Sequence, residues 1–159
     1  MKVRNATWED LPDILTIYDR AREFMRENGN PNQWGSSNPP ITVLEKDIAE
    51  DQLYILEDEA EVLGVFAFII GEDPTYHAID GTWHSDETYG TIHRIAASGA
   101  KRGIFSACIK FCERKIGYLR IDTHEDNRIM QHLIEKHGFR CCGIIHLADG
   151  SPRIAYDRI

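Results

Sequence analysis

The stretch from Thr91 to Ser106 carries the residue types that can hold a phosphate group. An apolar strand with His93 and Arg94 on it runs into Ala96-Ala97-Ser98-Gly99-Ala100. Lys101-Arg102-Gly103-Ile104-Phe105-Ser106 then opens a helix. A helix start presents N–H groups without intrahelical partners and a partial positive charge. Small residues let a phosphate approach those groups. Lys101 and Arg102 add cations in a chain whose net charge is −8. An ordinary strand-to-helix connection has the same appearance, and the residues leave both readings open. A second stretch runs from Asn127 to Phe139. Asn127 follows a strand and can cap the helix behind it, while Gly138 stands where a helix C′ residue belongs.

The elements that must position these residues follow from periodicity. Val3 to Ala6 reads as a strand, and Thr7 caps a helix from near Trp8 to about Arg26, with Leu11, Ile14, Leu15, Tyr18 and Met25 at helical spacing. Asn28 to Pro40 is loop chemistry, and a second helix covers about Thr42 to Glu50. Leu53–Glu57 and Val62–Ile70 form a hairpin, broken at Asp73-Pro74. Tyr76 to Glu87 reads either as a strand extension or as an inserted loop. Thr91–Ala96 is a strand, and a helix follows from about Arg102 to Lys115, with Ile104, Ala107, Cys108, Phe111 and Cys112 as its apolar stripe. Tyr118–Thr123 is a strand. The helix opened by Asn127 turns Met130, Leu133, Ile134 and His137 to the core. Phe139–Leu147 and Arg153–Asp157 close the chain as strands. The order β-αα-β-β-β-α-β-α-β-β predicts an α/β domain with one mixed sheet flanked by helices.

Bulk properties exclude several classes. The 159 residues suit one domain with a real core, 42% of them apolar and 28% charged. The longest uncharged apolar stretch, Val62 to Gly71, is too short to cross a bilayer, and the start has no signal-peptide pattern. The expectation is a cytoplasmic protein without a membrane partner. The acidic balance and the lack of an extended basic patch argue against nucleic acid. Cys108, Cys112, Cys141 and Cys142 contain no CxxC pair, so free thiols and no metal are expected.

Together these stretches resemble the GNAT superfamily of N-acetyltransferases. The family's loop, [Arg/Gln]-x-x-Gly-x-[Gly/Ala], fits the frame Ala100-Lys101-Arg102-Gly103-Ile104-Phe105, with Gly103 kept and Ala100 and Phe105 departing. Its later motif, Asn-x-x-Ala-x-x-Leu-Tyr-x-x-x-Gly-Phe, fits Asn127, Leu133, Gly138 and Phe139, with Met130 and Ile134 at the Ala and Tyr positions. The opening Arg4-Asn5-Ala6-Thr7-Trp8-Glu9-Asp10-Leu11-Pro12 also looks like a GNAT start. The resemblance covers nearly the whole chain and implies the GNAT fold, with acetyl-CoA between two parallel strands that splay apart, here 91–96 and 118–123. Backbone groups around Arg94, Ile95 and Ala96 would meet the pantetheine. Amides of Lys101, Arg102, Gly103, Ile104, Phe105 and Ser106 would hold the pyrophosphate, and Asn127 the far side. Phe105 either crowds that approach or turns its ring into the core.

The implied activity is direct transfer of an acetyl group from acetyl-CoA to the primary amine of a small molecule, with reactants held in line and a base removing a proton. The candidates for that base are His93, Asp122, His124 and Glu72. His93 stands beside the expected thioester, and imidazoles titrate near neutrality. Asp122 and His124 share one strand face and read as an acid–base pair or as local hydrogen bonding. With Ile134 replacing the family's Tyr, Tyr156 is the candidate acid. Trp34 would wall the amine through cation–π attraction, with Glu72 nearby. The 76–87 segment would form a lid or part of a homodimer contact. Two other functions stay open: a non-catalytic acyl-CoA sensor, and an acetyltransferase acting on a protein N-terminus or Lys.

Overall fold

A computed structural model describes residues 1–159. The elements are β1 (Lys2–Asn5), α1 (Leu11–Glu27), α2 (Ile41–Ala49), β2 (Leu53–Asp58), β3 (Glu61–Ile70), β4 (Asp80–Gly81), β5 (Gly90–Ala97), α3 (Ile104–Glu113), β6 (Leu119–Thr123), α4 (Arg128–Lys136), β7 (Arg140–His146) and β8 (Pro152–Arg158). Eight strands form one mixed sheet in the order β1-β2-β3-β5-β6-β8-β7-β4. Every pairing is antiparallel except β5 with β6.

Two layers cover the sheet. On one face, Ile14, Ile17 and Tyr18 of α1 and Leu44 and Ile48 of α2 close over Leu53, Ile55, Val65 and Ala67. Their spacing is that of one helix face. On the other, Ile104, Cys108, Ile109 and Cys112 of α3 and Ile134 of α4 pack on Phe66, Phe68, Ile92 and Ile121. No helix is long and apolar enough to cross a membrane.

The expected elements are present, with ends shifted by up to three residues; Trp8–Asp10 forms a 3-10 turn and α1 begins at Leu11. The difference lies in 76–87. This segment is an insertion that crosses to the far edge of the sheet, where β4 pairs with β7. Its anchor is Arg120, whose guanidinium carbon lies 3.9 Å from the ring centroids of both Trp83 and Tyr89. Arg120 also donates to the Ser85 carbonyl at 3.0 Å. Such desolvated cation–π contacts are worth on the order of 2 kcal/mol.

The crossing needs glycine on both sides. Gly81 and Gly143 face each other at φ +142° and +143°, and a Cβ on either would collide with the carbonyl opposite, that of Cys142 or Asp80. Strain and collision together predict that Gly143→Ala lowers Tm by roughly 4–12 °C, from a cost of about 2–3 kcal/mol. A thermal melt within 1 °C of the wild type, to the nearest ~1 °C that such a scan resolves, would show that the contact does not constrain the fold.

Candidate active site

The parallel pair β5–β6 holds together only at Gly90↔Leu119 and Thr91↔Arg120. Beyond these positions the strands part, although β5 continues to Ala97 and β6 to Thr123. A bulge in β5 accompanies the parting. Ala67 pairs with His93 and Val65 with Ala96, so Phe66 alone opposes Arg94 and Ile95. A two-against-one count of this kind bends the strand that carries the extra residue. Arg94 takes φ +54°, costly for a residue with a Cβ. Two contacts hold it there. The Tyr18 hydroxyl donates to the Arg94 carbonyl at 2.6 Å, and the guanidinium donates twice to Asp47 Oδ2, at 3.0 and 2.7 Å.

Two cavities open along the parted strands and share Met25, Ile95, Asn127 and Met130 as a waist. The first, about 490 Å³, includes Trp34, Asp73, His93, Asp122, Thr123 and Arg153 in its walls. The second, about 450 Å³, is walled by Arg20, Phe24, the end of β5 with Ser98 and Gly99 after it, and the first turn of α4. One groove therefore runs through the gap with a different chemistry at each end.

Polar chemistry gathers at the first end. His93 Nε2 lies 2.8 Å from Asp73 Oδ2, and Nδ1 makes no hydrogen bond with the protein. Asp73 Oδ1 also accepts from the Thr75 amide and hydroxyl at 2.9 and 2.7 Å. Burial pushes this carboxyl up, but the bonds from His93 and Thr75 outweigh it and leave the pKa at about 2. Asp73 is thus ionised in both folded and unfolded chains near neutrality. What its partners contribute to stability is present above the unfolded value of about 4 and lost as pH falls toward about 2. The Tyr76 hydroxyl donates to Asp122 Oδ2 at 2.6 Å. Burial raises the Asp122 carboxyl above its usual range, with His93 and the Tyr76 bond pulling the other way.

Of the residues expected at the site, His93, Asp122, Trp34, Ile95 and Asn127 line the first cavity together. Trp34 is half-buried with its ring centroid 5.5 Å from that of Tyr18. Asn127 caps α4, accepting from the Met130 amide at 3.0 Å and donating to Gln33 Oε1 at 2.9 Å. Ala96 lines the second cavity.

Other expectations need correction. Asp122 and His124 do not pair with each other. His124 Nδ1 accepts from the Asp126 amide at 3.0 Å, in a turn of its own. Tyr156 is 2% exposed within the α3–α4 core, opposite Ile121, where burial pushes its hydroxyl up to about 12. It presents no proton to the groove. Glu72 is exposed and faces His77; its neighbour Asp73 is the one that turns inward. Arg94 lines the cavity, but its carbonyl and guanidinium are occupied by Tyr18 and Asp47. Lys101 is ion-paired with Asp58 on β2 rather than free, and Arg102 is exposed. Gly103 caps α3 at φ +88°. Ile104 and Phe105 are buried, and the Phe105 ring packs edge-on against His137 at 4.9 Å. Phe105 therefore turns into the core and leaves the helix start open. Ser106 is half-buried in the first turn, and the side chains of 101–106 line neither cavity.

Sequence reasoning missed Asp73, Tyr76 and Arg153. Asp73 resembled simple breaker chemistry before Pro74, and Tyr76 belongs to the insertion. A second cluster also escaped notice. His84 Nδ1 lies 2.6 Å from Asp157 Oδ1 and 3.4 Å from Cys142 Sγ, three groups close enough to share a cation. The Tyr118 hydroxyl and the His84 amide already satisfy the other Asp157 oxygen, at 2.7 and 2.8 Å.

No family model matches the sequence, and no curated protein matches it. Solved structures do. The chain is similar to a GNAT-family acetyltransferase from Streptococcus agalactiae, at 29% identity and a TM-score of 0.89, over 99% of this chain and 94% of that one. A GNAT-family acetyltransferase from Listeria monocytogenes shares the fold at 22% identity and a TM-score of 0.68, over 99% and 93%. A ribosomal-protein-alanine N-acetyltransferase from Brucella melitensis shares it at 18% and 0.65, over 100% and 99%. The order of elements and the end-to-end structural likeness agree, and the chain has the fold of the GNAT acetyltransferases.

Proposed function

We propose that the protein is an acetyl-CoA-dependent N-acetyltransferase acting on a small primary amine. The observation that carries this reading is the groove through the parted strands. Its two ends meet at one waist, and the titratable side chains of the first end (Asp73, His93, Asp122, Arg153) are buried or half-buried, whereas those of the second (Arg20, Glu23, Glu27, Arg128) are exposed. A thioester arm suits the gap. The β5 edge beyond Thr91 has no ladder partner in β6, and the Thr123 hydroxyl is buried in the cavity wall without a partner. Unmet polar groups of this kind favour an occupant that bonds to them.

The second cavity would take the pantetheine and lead toward Ser98, Gly99 and the first turn of α3, where the Ile104, Phe105 and Ser106 amides have no intrahelical partners. The amine would enter the first cavity beside Trp34. Asp122 attracts the ammonium, and the His93 imidazole, oriented by Asp73, takes its proton. The nitrogen lone pair then forms the C–N bond, the C–S bond breaks, and CoA leaves as a thiolate that takes up the second proton released by the nitrogen. Holding both reactants in line is the protein's main contribution.

The test is release of free CoA thiol from acetyl-CoA with a panel of small amines. The reading expects amine-dependent release that yields one acetylated amine per thiol. Tight acetyl-CoA binding without turnover across the panel would support a sensor instead.

A further inference from the structure

Two guanidinium groups line the acceptor cavity, and they differ in one respect. Arg94 is neutralised by Asp47, whose Oδ2 accepts two of its N–H bonds. Arg153 is 6% exposed and bonds only to carbonyls, those of Pro152 at 2.8 Å and Gln33 at 3.2 Å. Carbonyls satisfy N–H groups but do not cancel charge. Asp122 and Asp149 act on Arg153 through space, and neither forms an ion pair with it. A buried cation without a counter-ion is costly, and such groups are nearly always paired.

Placement gives this charge a use. Asp122 pairs across the sheet with Ala155, and Arg153 is two residues away on the same strand. Both side chains therefore leave the same sheet face, from diagonal positions about 7–8 Å apart. An anion beside Arg153 and a cation beside Asp122 fit one small zwitterion, with a charge-assisted bond of about 2.8 Å at each end.

We infer that the acceptor carries a carboxylate next to its amine, as an α-amino acid does, and that Arg153 binds that carboxylate. The inference rests on the acetyl-transfer reading and narrows its substrate class. Arg153 is a specificity residue here; His93 and Asp122 act at the amine.

The test compares kcat/KM for L-amino acids, their carboxamides and the corresponding amines lacking the carboxyl group, by CoA release. The best acceptor should be a carboxylate-bearing amine favoured at least ~30-fold over its carboxamide. Arg153→Gln should reduce that preference below ~3-fold by lowering the acid's kcat/KM while leaving the carboxamide's within ~3-fold, and Arg153→Lys should restore part of it. A purely structural Arg153 would lower both substrates together, and that outcome overturns the inference. If Arg153→Gln fails to fold, the wild-type ratio decides, and a ratio near one overturns the inference. Turnover without carboxylate preference defeats this inference alone. No turnover with any amine defeats the acetyl-transfer reading with it.

Discussion

His93→Gln should lower kcat by about 10²–10³, within the range a positioned proton acceptor contributes. The affinity for acetyl-CoA should stay within ~3-fold, because His93 lines the acceptor end of the groove and not the second cavity. Glutamine keeps a hydrogen bond to Asp73 but cannot take the amine's proton. Asp73→Asn should cost less, about 10-fold, since it disturbs only the orientation of the ring. Asp73 is held at about 2, so no limb of the activity profile between about pH 5 and 9 belongs to it. A limb in that window that disappears in Asp73→Asn would contradict this assignment. Steady-state rates for His93→Gln within ~3-fold of the wild type would remove His93 from the chemistry and leave Asp122 as the remaining base in the cavity.

Phe105→Ala has the largest expected effect on stability. The ring is 6% exposed, belongs to the cluster formed by Ile104, Cys108, Ile134 and Tyr156, and packs on His137. Truncating a buried Phe costs about 3–5 kcal/mol, through lost apolar contact and the cavity left behind. For a chain of 159 residues that lowers Tm by roughly 6–20 °C. Acetyl-CoA affinity measured well below the melt should change by less than ~3-fold. The ring faces the core, and what the helix start offers a phosphate is backbone. Tighter acetyl-CoA binding by the Ala variant would mean that the ring obstructs the cofactor after all.

These two residues mark what the sequence could and could not convey. The elements follow from periodicity: the Ile104–Cys112 stripe, the Val62–Ile70 run and the Gly138 stop each had a local cause and occur where expected. His93 was legible because its strand ends at the loop that carries the family motif. The rest of the site depends on distant contacts. Asp73 reaches His93 only because β3 and β5 pair in a register with Ile70 opposite Gly90, which brings the end of one strand beside the other. Tyr76 reaches Asp122 because the insertion crosses the sheet, and that path depends on the Gly81–Gly143 contact and on Arg120 between two rings. Tyr156 shows the opposite failure. Alternation on a strand gives two faces but does not say which one lies over a helix, and this Tyr went to the core. Phe105 was ambiguous for the same reason, since its place off the main α3 stripe left its direction to α4 and His137.

The central claim is that the parted strands form the acetyl-CoA site. A crystal structure with acetyl-CoA bound tests it most directly. The account predicts the thioester between the 92–95 run of β5 and the 121–123 run of β6, near the Met25–Asn127 waist. The acetyl group should point toward His93, and the diphosphate should lie at Ser98, Gly99 and the first turn of α3. Density for the cofactor elsewhere on the molecule, or with its thioester turned away from His93, would contradict it.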